Sequence, residues 1–281
     1  MRRYSTATFS LYVTNEDYSG TIPSRKDISE TSTFTSCTFN SQGSWGGAIY
    51  FTGSGASLTV TDSVFTKCNT TTGHGGAIYC LNCGKISIKQ SSFVECSSYY
   101  GSTGGGGIFT NGASVLPEIT ENTFLSCTGG QDGGGLYLYQ TKGGTNGANL
   151  PVNECTFISC VATGYAGGAN DADGGGLIYW SNDCTLGISD CLFIKCESKL
   201  RAGGSFVTIN QDYFNNIIRF CFYSENTALN GTNTVILFNS SSTNLWSIIF
   251  CHSFTLDIDL TYSLAQNAPA SFPNSQKQYS E

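Results

Sequence analysis

GGAIYCLNCGKISIKQSSFVEC (residues 75–96) decides the fold. It opens on Gly75-Gly76-Ala77-Ile78 and closes on Phe93, three residues before Cys96, and both ends recur along the chain. The glycine step returns as Gly46-Gly47-Ala48-Ile49, Gly105-Gly106-Gly107-Ile108, Gly133-Gly134-Gly135-Leu136 and Gly174-Gly175-Gly176-Leu177, with a weaker copy at Gly203-Gly204-Ser205-Phe206. The aromatic column reads Phe39, Phe65, Phe93, Phe124, Phe157, Phe193 and Tyr223, at intervals of 26 to 36 residues. Three residues further on stand Gln42, Cys68, Cys96, Cys127, Cys160, Cys196 and Asn226. Two residues before each aromatic lie Cys37, Ser63, Ser91, Asn122, Cys155, Cys191 and Cys221; Phe34, three before Cys37, offers an alternative register for the first coil.

A self-similarity of this length marks a solenoid whose coils bury their apolar faces against one another. The runs between the motifs are short, β-branched or aromatic, and bounded by Gly, Ser, Asn and Thr, as in Ala48-Ile49-Tyr50-Phe51, Leu58-Thr59-Val60 and Ile86-Ser87-Ile88. That is strand composition, and no window holds a helical period. The chain is therefore expected to be all-β, a parallel β-helix of about seven coils of ~30 residues. The expected layout is an N-terminal segment or cap at 1–33, a repeat domain at 34–265 and a polar tail at 266–281. Glycine corners should turn the chain at positive φ, or where the next coil lies too close for a Cβ. Equivalent residues on adjacent coils should lie ~4.8 Å apart, so the phenylalanines should stack inside the tube.

With these motifs in place, the chain resembles the polymorphic outer membrane protein (Pmp) repeat family, which carries Gly-Gly-Ala-Ile/Leu/Val and Phe-x-x-Asn tetrapeptides. Ala48-Ile49 and Ala77-Ile78 complete the first motif, and Tyr223-Ser224-Glu225-Asn226 is close to the second. The chain departs by placing Cys at the fourth position of the tetrapeptides that begin at Phe65, Phe93, Phe124, Phe157 and Phe193, a variant similar to that of expanded protist families. The resemblance spans about residues 34 to 240. It implies a right-handed, pectin-lyase-like helix, display at a cell surface or secretion, and adhesion to a host or neighbouring-cell protein or glycan, without enzymatic activity or a cofactor.

Composition narrows the partners. The net charge is −7 with only 13 Lys and Arg, so nucleic acid and anionic membranes are excluded as charge-driven partners. Met1-Arg2-Arg3 is followed by no apolar signal core, and no run of ~20 apolar residues follows anywhere. The chain reads as cytosolic or as an excerpt of a longer architecture. Sequons stand at Asn69, Asn230 and Asn239.

Of 13 cysteines, the column Cys68, Cys96, Cys127, Cys160 and Cys196 is expected to form a buried thiol ladder. In-register side chains on parallel strands sit slightly too far apart for a disulfide. Bridges between Cys155 and Cys160 or Cys191 and Cys196 are the alternative. Cys80-Leu81-Asn82-Cys83 lacks the second pair a zinc site needs and the helix a redox motif needs. His74 falls in a Gly-His-Gly step but without clustered aspartates, so it reads as a variable loop position with Trp45, Gly104, Asp132 and Asp173. Asp132, Asp171 and Asp173 are the acids that would hold Ca²⁺, against the simpler reading of solvated loop acids. Insertions at 140–151 and 161–173, with Tyr99, Tyr100 and Tyr165, are the expected binding loops. A polysaccharide-active β-helix enzyme and an intracellular scaffold are the alternatives, the first requiring a carboxylate cluster on one strand face.

Overall fold

Each repeat folds as one coil of three main strands, and each strand continues a sheet that runs the length of the solenoid. A computed structural model describes residues 11–14, 17–18, 26–99, 104–113, 115, 117–142, 152–164, 174–183, 187–199, 204–210, 216–228, 235–239, 246–249 and 252–253. The strand after each glycine step (Ile49–Phe51, Ile78–Leu81, Ile108–Asn111, Leu136–Lys142) builds an eight-stranded glycine-side sheet. The next strands (Ser57–Thr61, Lys85–Lys89, Glu118–Thr120) build a nine-stranded second sheet. The aromatic motif strands (Val64–Thr66, Ser92–Val94, Thr123–Leu125, Thr156–Ile158, Leu192–Ile194) build a nine-stranded phenylalanine sheet. Every pairing between these strands is parallel. The sheets hold more strands than the seven motif copies because Leu11–Thr14 pairs with Ser32–Thr35, Lys26–Ile28 with Ile49–Phe51, and Trp246–Ile249 closes the far end.

The aromatic column stacks in register. Phe65 pairs with Phe39 and Phe93, and the pairing continues through Phe124, Phe157 and Phe193 to Tyr223. From Phe39 to Phe193, ring centroids lie 4.6–4.9 Å apart with planes within 10° of parallel. Isolated rings prefer an offset or an edge-to-face approach. Here the strand spacing of ~4.8 Å imposes the stack, and dense burial compensates. Each ring contributes roughly 1.5–3 kcal/mol of transfer free energy, which makes the column a principal stabiliser. Phe34 belongs elsewhere: it pairs with Val60 in the second sheet, so the first coil registers on Phe39.

The glycine corner behaves as expected. Gly75 has φ +65°, and a Cβ on Gly76 would run into the carbonyl oxygen of Gly106 and the backbone of Ser97. The corners on either side of the phenylalanine strand do not use glycine. They turn at non-glycine residues with φ between 50° and 56°: Lys67, Glu95, Ser126, Ser159, Lys195 and Glu225 after the phenylalanine strand, and Ser36, Asp62, Gln90, Glu121, Glu154, Asp190 and Phe220 before it. Each such residue immediately precedes a ladder position, which supplies the hydrogen bonds that hold the left-handed turn.

The cysteine ladder is one of those positions. Cys96 Sγ donates to the Phe65 carbonyl at 3.4 Å, Cys127 to Phe93 at 3.3 Å, Cys160 to Phe124 at 3.4 Å and Cys196 to Phe157 at 3.5 Å. Asn226 makes the same contact with its amide: Nδ2 donates to the Phe193 carbonyl at 3.0 Å, and Oδ1 accepts from the Cys196 amide at 2.8 Å. Cysteine and asparagine are thus alternative solutions to one backbone demand. In the first coil the position falls to Ser41 rather than Gln42: the Asn69 amide bonds to the Ser41 carbonyl, as the Ser97 amide does to Cys68. The coil is one residue shorter there. The other ladder works alike, with Cys37 N bonding to Ser63 Oγ, Ser63 N to Ser91 Oγ and Ser91 N to Asn122 Oδ1.

All five column cysteines are buried, reduced thiols, and so are Cys155 and Cys191. The Cys155–Cys160 and Cys191–Cys196 bridges do not form, because a strand (Thr156–Ile158, Leu192–Ile194) separates each pair and places them at opposite corners. The Cys-x-x-Cys pair instead closes a disulfide, Cys80–Cys83, with Cα atoms 6.1 Å apart. Asn82 at φ 51° turns the chain back over a span too short for the strand geometry that separates the other pairs. Both sulfurs lie inside the tube.

Candidate functional site

The most chemically distinctive surface is the outside of the glycine-side sheet. Alternation in Ile49-Tyr50-Phe51 and Ile78-Tyr79-Cys80 sends the isoleucines inward and the tyrosines outward. Register then files Tyr50, Tyr79, Phe109 and Tyr137 on consecutive coils. Tyr50 and Tyr79 stack at 5.5 Å, Tyr79 and Phe109 at 5.4 Å, and Phe109 meets Tyr137 edge-on at 5.0 Å. Tyr139, two residues on, packs edge-on against Tyr137 at 5.9 Å.

An outward file should be wet, yet Tyr79, Phe109 and Tyr137 are only 4%, 2% and 3% exposed. The residues just before the glycine steps cover them. The His74 ring stacks on Phe109 at 4.7 Å and on Tyr79 at 6.0 Å. Trp45 packs at 5.3 Å from Tyr79 and edge-on to His74 at 5.0 Å, and keeps 37% of its surface in solvent. The outcome is a bank of aromatic rings whose upper edge, Trp45 with half-buried Tyr50, faces water.

Burial sets the ionisation of this bank. His74 is depressed to about 4, because desolvation penalises the imidazolium. The Tyr79 phenol is pushed up to about 12 by burial first and by Tyr50 second, opposed by a hydrogen bond with the Asn111 side chain. Burial also raises Tyr137 well above the ordinary phenol value, helped by the negative charge of Asp132 and by Tyr139. At neutral pH the Tyr79 and Tyr137 phenols and the His74 imidazole are uncharged.

Asp132 is therefore no solvated loop acid: it is 6% exposed and sits within electrostatic reach of Tyr137. Asp171 and Asp173, its proposed companions on Ca²⁺, lie outside the described residues. Among the described residues no three His, Cys, Asp or Glu side chains converge to hold a metal ion. The insertions at 140–151 and 161–173 are described only at their first residues, 140–142 and 161–164, and Tyr100 and Tyr165 lie outside. Tyr99 is 48% exposed. The thiol ladder offers no nucleophile. Burial is the leading cause raising Cys96, Cys127, Cys160 and Cys191, and Cys68 is raised first by its hydrogen bond with Cys96 and then by burial.

Sequence reasoning missed the bank. It took Tyr50, Tyr79 and Tyr137 as β-formers and His74 as a variable loop residue. The signal that could have found it was an aromatic at the second strand position of four consecutive copies, Tyr50, Tyr79, Phe109 and Tyr137.

The family model described as right handed beta helix region matches residues 25–193. No curated protein and no solved structure matches the chain. No helix among the described residues is long and apolar enough to cross a membrane.

Proposed function

The chain belongs to the right-handed β-helix family, and on that premise we propose that it is a non-enzymatic interaction module of the surface type, an adhesin-like rod that binds a protein or glycan of a host or neighbouring cell. The carrying observation is the aromatic bank: four outward rings in register on a stiff sheet, with Trp45 left partly in solvent above them. Trp45 and Tyr50, the rings that reach solvent, are held by stacking on the buried ones and so offer contact area with little ordering cost on binding.

The ionisation of the bank favours binding over turnover. A general base works best with a pKa near the working pH. His74, at about 4, lies well below that, and the buried phenols stay protonated. A Pmp-type repeat is part of the proposal, supported by Asn226, whose amide holds the corner that the cysteine thiols hold elsewhere. Display at a cell surface or secretion belongs to it as well, as the resemblance to that repeat family implies.

The test is binding of the purified chain to intact cells and to immobilised glycan panels, alongside Trp45→Ala and Tyr50→Ala, with product release from the same glycans followed in parallel. We expect saturable binding that falls at least tenfold in the variants, with the glycans intact. Release of shortened oligosaccharides would replace this reading with the polysaccharide-active enzyme.

A further inference from the structure

Beyond the aromatic bank, a second exterior face has a distinct chemistry. The phenylalanine sheet points Phe93, Phe124, Phe157 and Phe193 inward, so their strand neighbours point out. On four consecutive coils the outward position after the phenylalanine is aliphatic: Val94, Leu125, Ile158 and Ile194, paired one to the next in strict register. The file is bounded at its ends by Thr66 and Ser224. Leu125 is 36% exposed, and the other three are half-buried. Isolated exposed aliphatics are ordinary, whereas a continuous file is a contact surface.

The two edges of this file differ in charge. After the strands, Lys67 pairs with Glu95 at 3.6 Å and Lys195 with Glu225 at 3.5 Å, so that corner neutralises itself. Before the strands, the left-handed corner presents Glu121, Glu154 and Asp190 on consecutive coils, all exposed. Gln90 Nε2 donates to Glu121 and Asn153 Nδ2 to Glu154, both neutral donors. Lys85 and Lys89, on the neighbouring second sheet, both pair with Glu118 rather than with this edge. Like charges stacked at one strand spacing repel, and a cation lying alongside relieves them.

We infer that this face docks a basic amphipathic helix of a partner protein, with apolar residues on the aliphatic file and lysines or arginines along the Glu121–Glu154–Asp190 edge. The pitch supports a helix. Residues three and four apart on a helix rise about 4.5–6 Å, which brackets the ~4.8 Å between coils. Apolar anchors at i, i+3, i+7 and i+10 span about 15 Å, and four coils span about 14 Å. Charge complementarity selects the basic partner over an acidic one.

The probe is a fluorescent 14-residue helical peptide with leucines at those four positions and lysines on one flank, titrated by anisotropy into the full chain. Three comparisons accompany it: a scrambled peptide, a peptide with glutamates for lysines, and the variants Leu125→Lys and Glu121→Lys/Glu154→Lys. We expect saturable binding that weakens with salt, falls at least tenfold in each variant, and is lost with the scrambled and acidic peptides. Glu121 and Glu154 are exposed, so that pair keeps the test decisive if Leu125→Lys fails to fold. Equal binding by the scrambled peptide, or binding indifferent to both variants, overturns the inference. So does a dimer of the full chain in sedimentation that Leu125→Lys dissociates, which would assign the face to a second copy.

Discussion

Gly76 and Ser159 both sit at corners of the coil, yet substitution should affect them in opposite directions. At Gly76 a methyl group has nowhere to go, because the Gly106 carbonyl and the Ser97 backbone occupy the space. Gly76→Ala should cost about 3 kcal/mol or more, or prevent folding, since rigid backbone rather than a side-chain tip must move. Ser159 occupies φ 52°, where an L-residue loses about 1–2 kcal/mol. Ser159→Gly removes that strain but adds unfolded-chain freedom of about 0.5–1 kcal/mol, so it should be neutral or stabilising by up to about 1 kcal/mol. Urea unfolding of both variants checks the pair. Thr110 carries a buried hydroxyl with no hydrogen-bond partner inside the tube, in register with Cys80. Thr110→Val should raise stability by about 1 kcal/mol, read as a higher denaturation midpoint at unchanged slope; a fall would mean the hydroxyl is satisfied.

His74 gives a pH dependence whose sign follows from its burial. Its pKa is 6.5 unfolded and about 4 folded. Between those values the unfolded chain binds a proton that the folded chain does not. Its contribution is therefore intact above about pH 6.5 and is lost as pH falls, by about 3 kcal/mol by pH 4. His74→Phe should flatten that limb of the stability–pH curve while keeping the stack on Phe109. An unchanged limb would place the histidine in solvent.

At the scale of elements, the ladders explain which parts of the fold the sequence carried. The glycine, phenylalanine and cysteine columns were legible because each answers a demand that few side chains meet: no Cβ, a ring of strand-spacing thickness, a small donor to a carbonyl. The other corners were illegible. Lys67, Glu95 and Ser126 have no identity in common, and the left-handed turn is enforced by the ladder residue that follows each one. The aromatic bank was hidden for a related reason. Its rings look like ordinary strand formers, and its cover comes from Trp45, His74 and Asp132, three unlike residues in one column. Cys80–Cys83 escaped because neither its partner choice nor its burial follows from spacing. The thiol ladder has a direct readout. In the native chain the buried thiols from Cys37 to Cys221 should resist alkylation for hours and react within minutes in denaturant, with Cys80 and Cys83 labelled only after reduction. Rapid native labelling of Cys127 or Cys160 would contradict the packed column.

For the whole molecule, parallel stacking makes a rod whose faces differ in chemistry while sharing one pitch: aromatic outside the glycine-side sheet, and aliphatic with an acidic edge outside the phenylalanine sheet. Interactions run mainly from each coil to its neighbours, so stability accrues coil by coil and binding surfaces extend along the axis rather than closing into a cleft. Such a design suits display and contact. Its direct check is antibody labelling of intact against permeabilised source cells. Labelling of intact cells, abolished by brief surface proteolysis, is the result we expect from a displayed β-helix. Labelling only after permeabilisation would contradict surface display and turn attention to an internal scaffold.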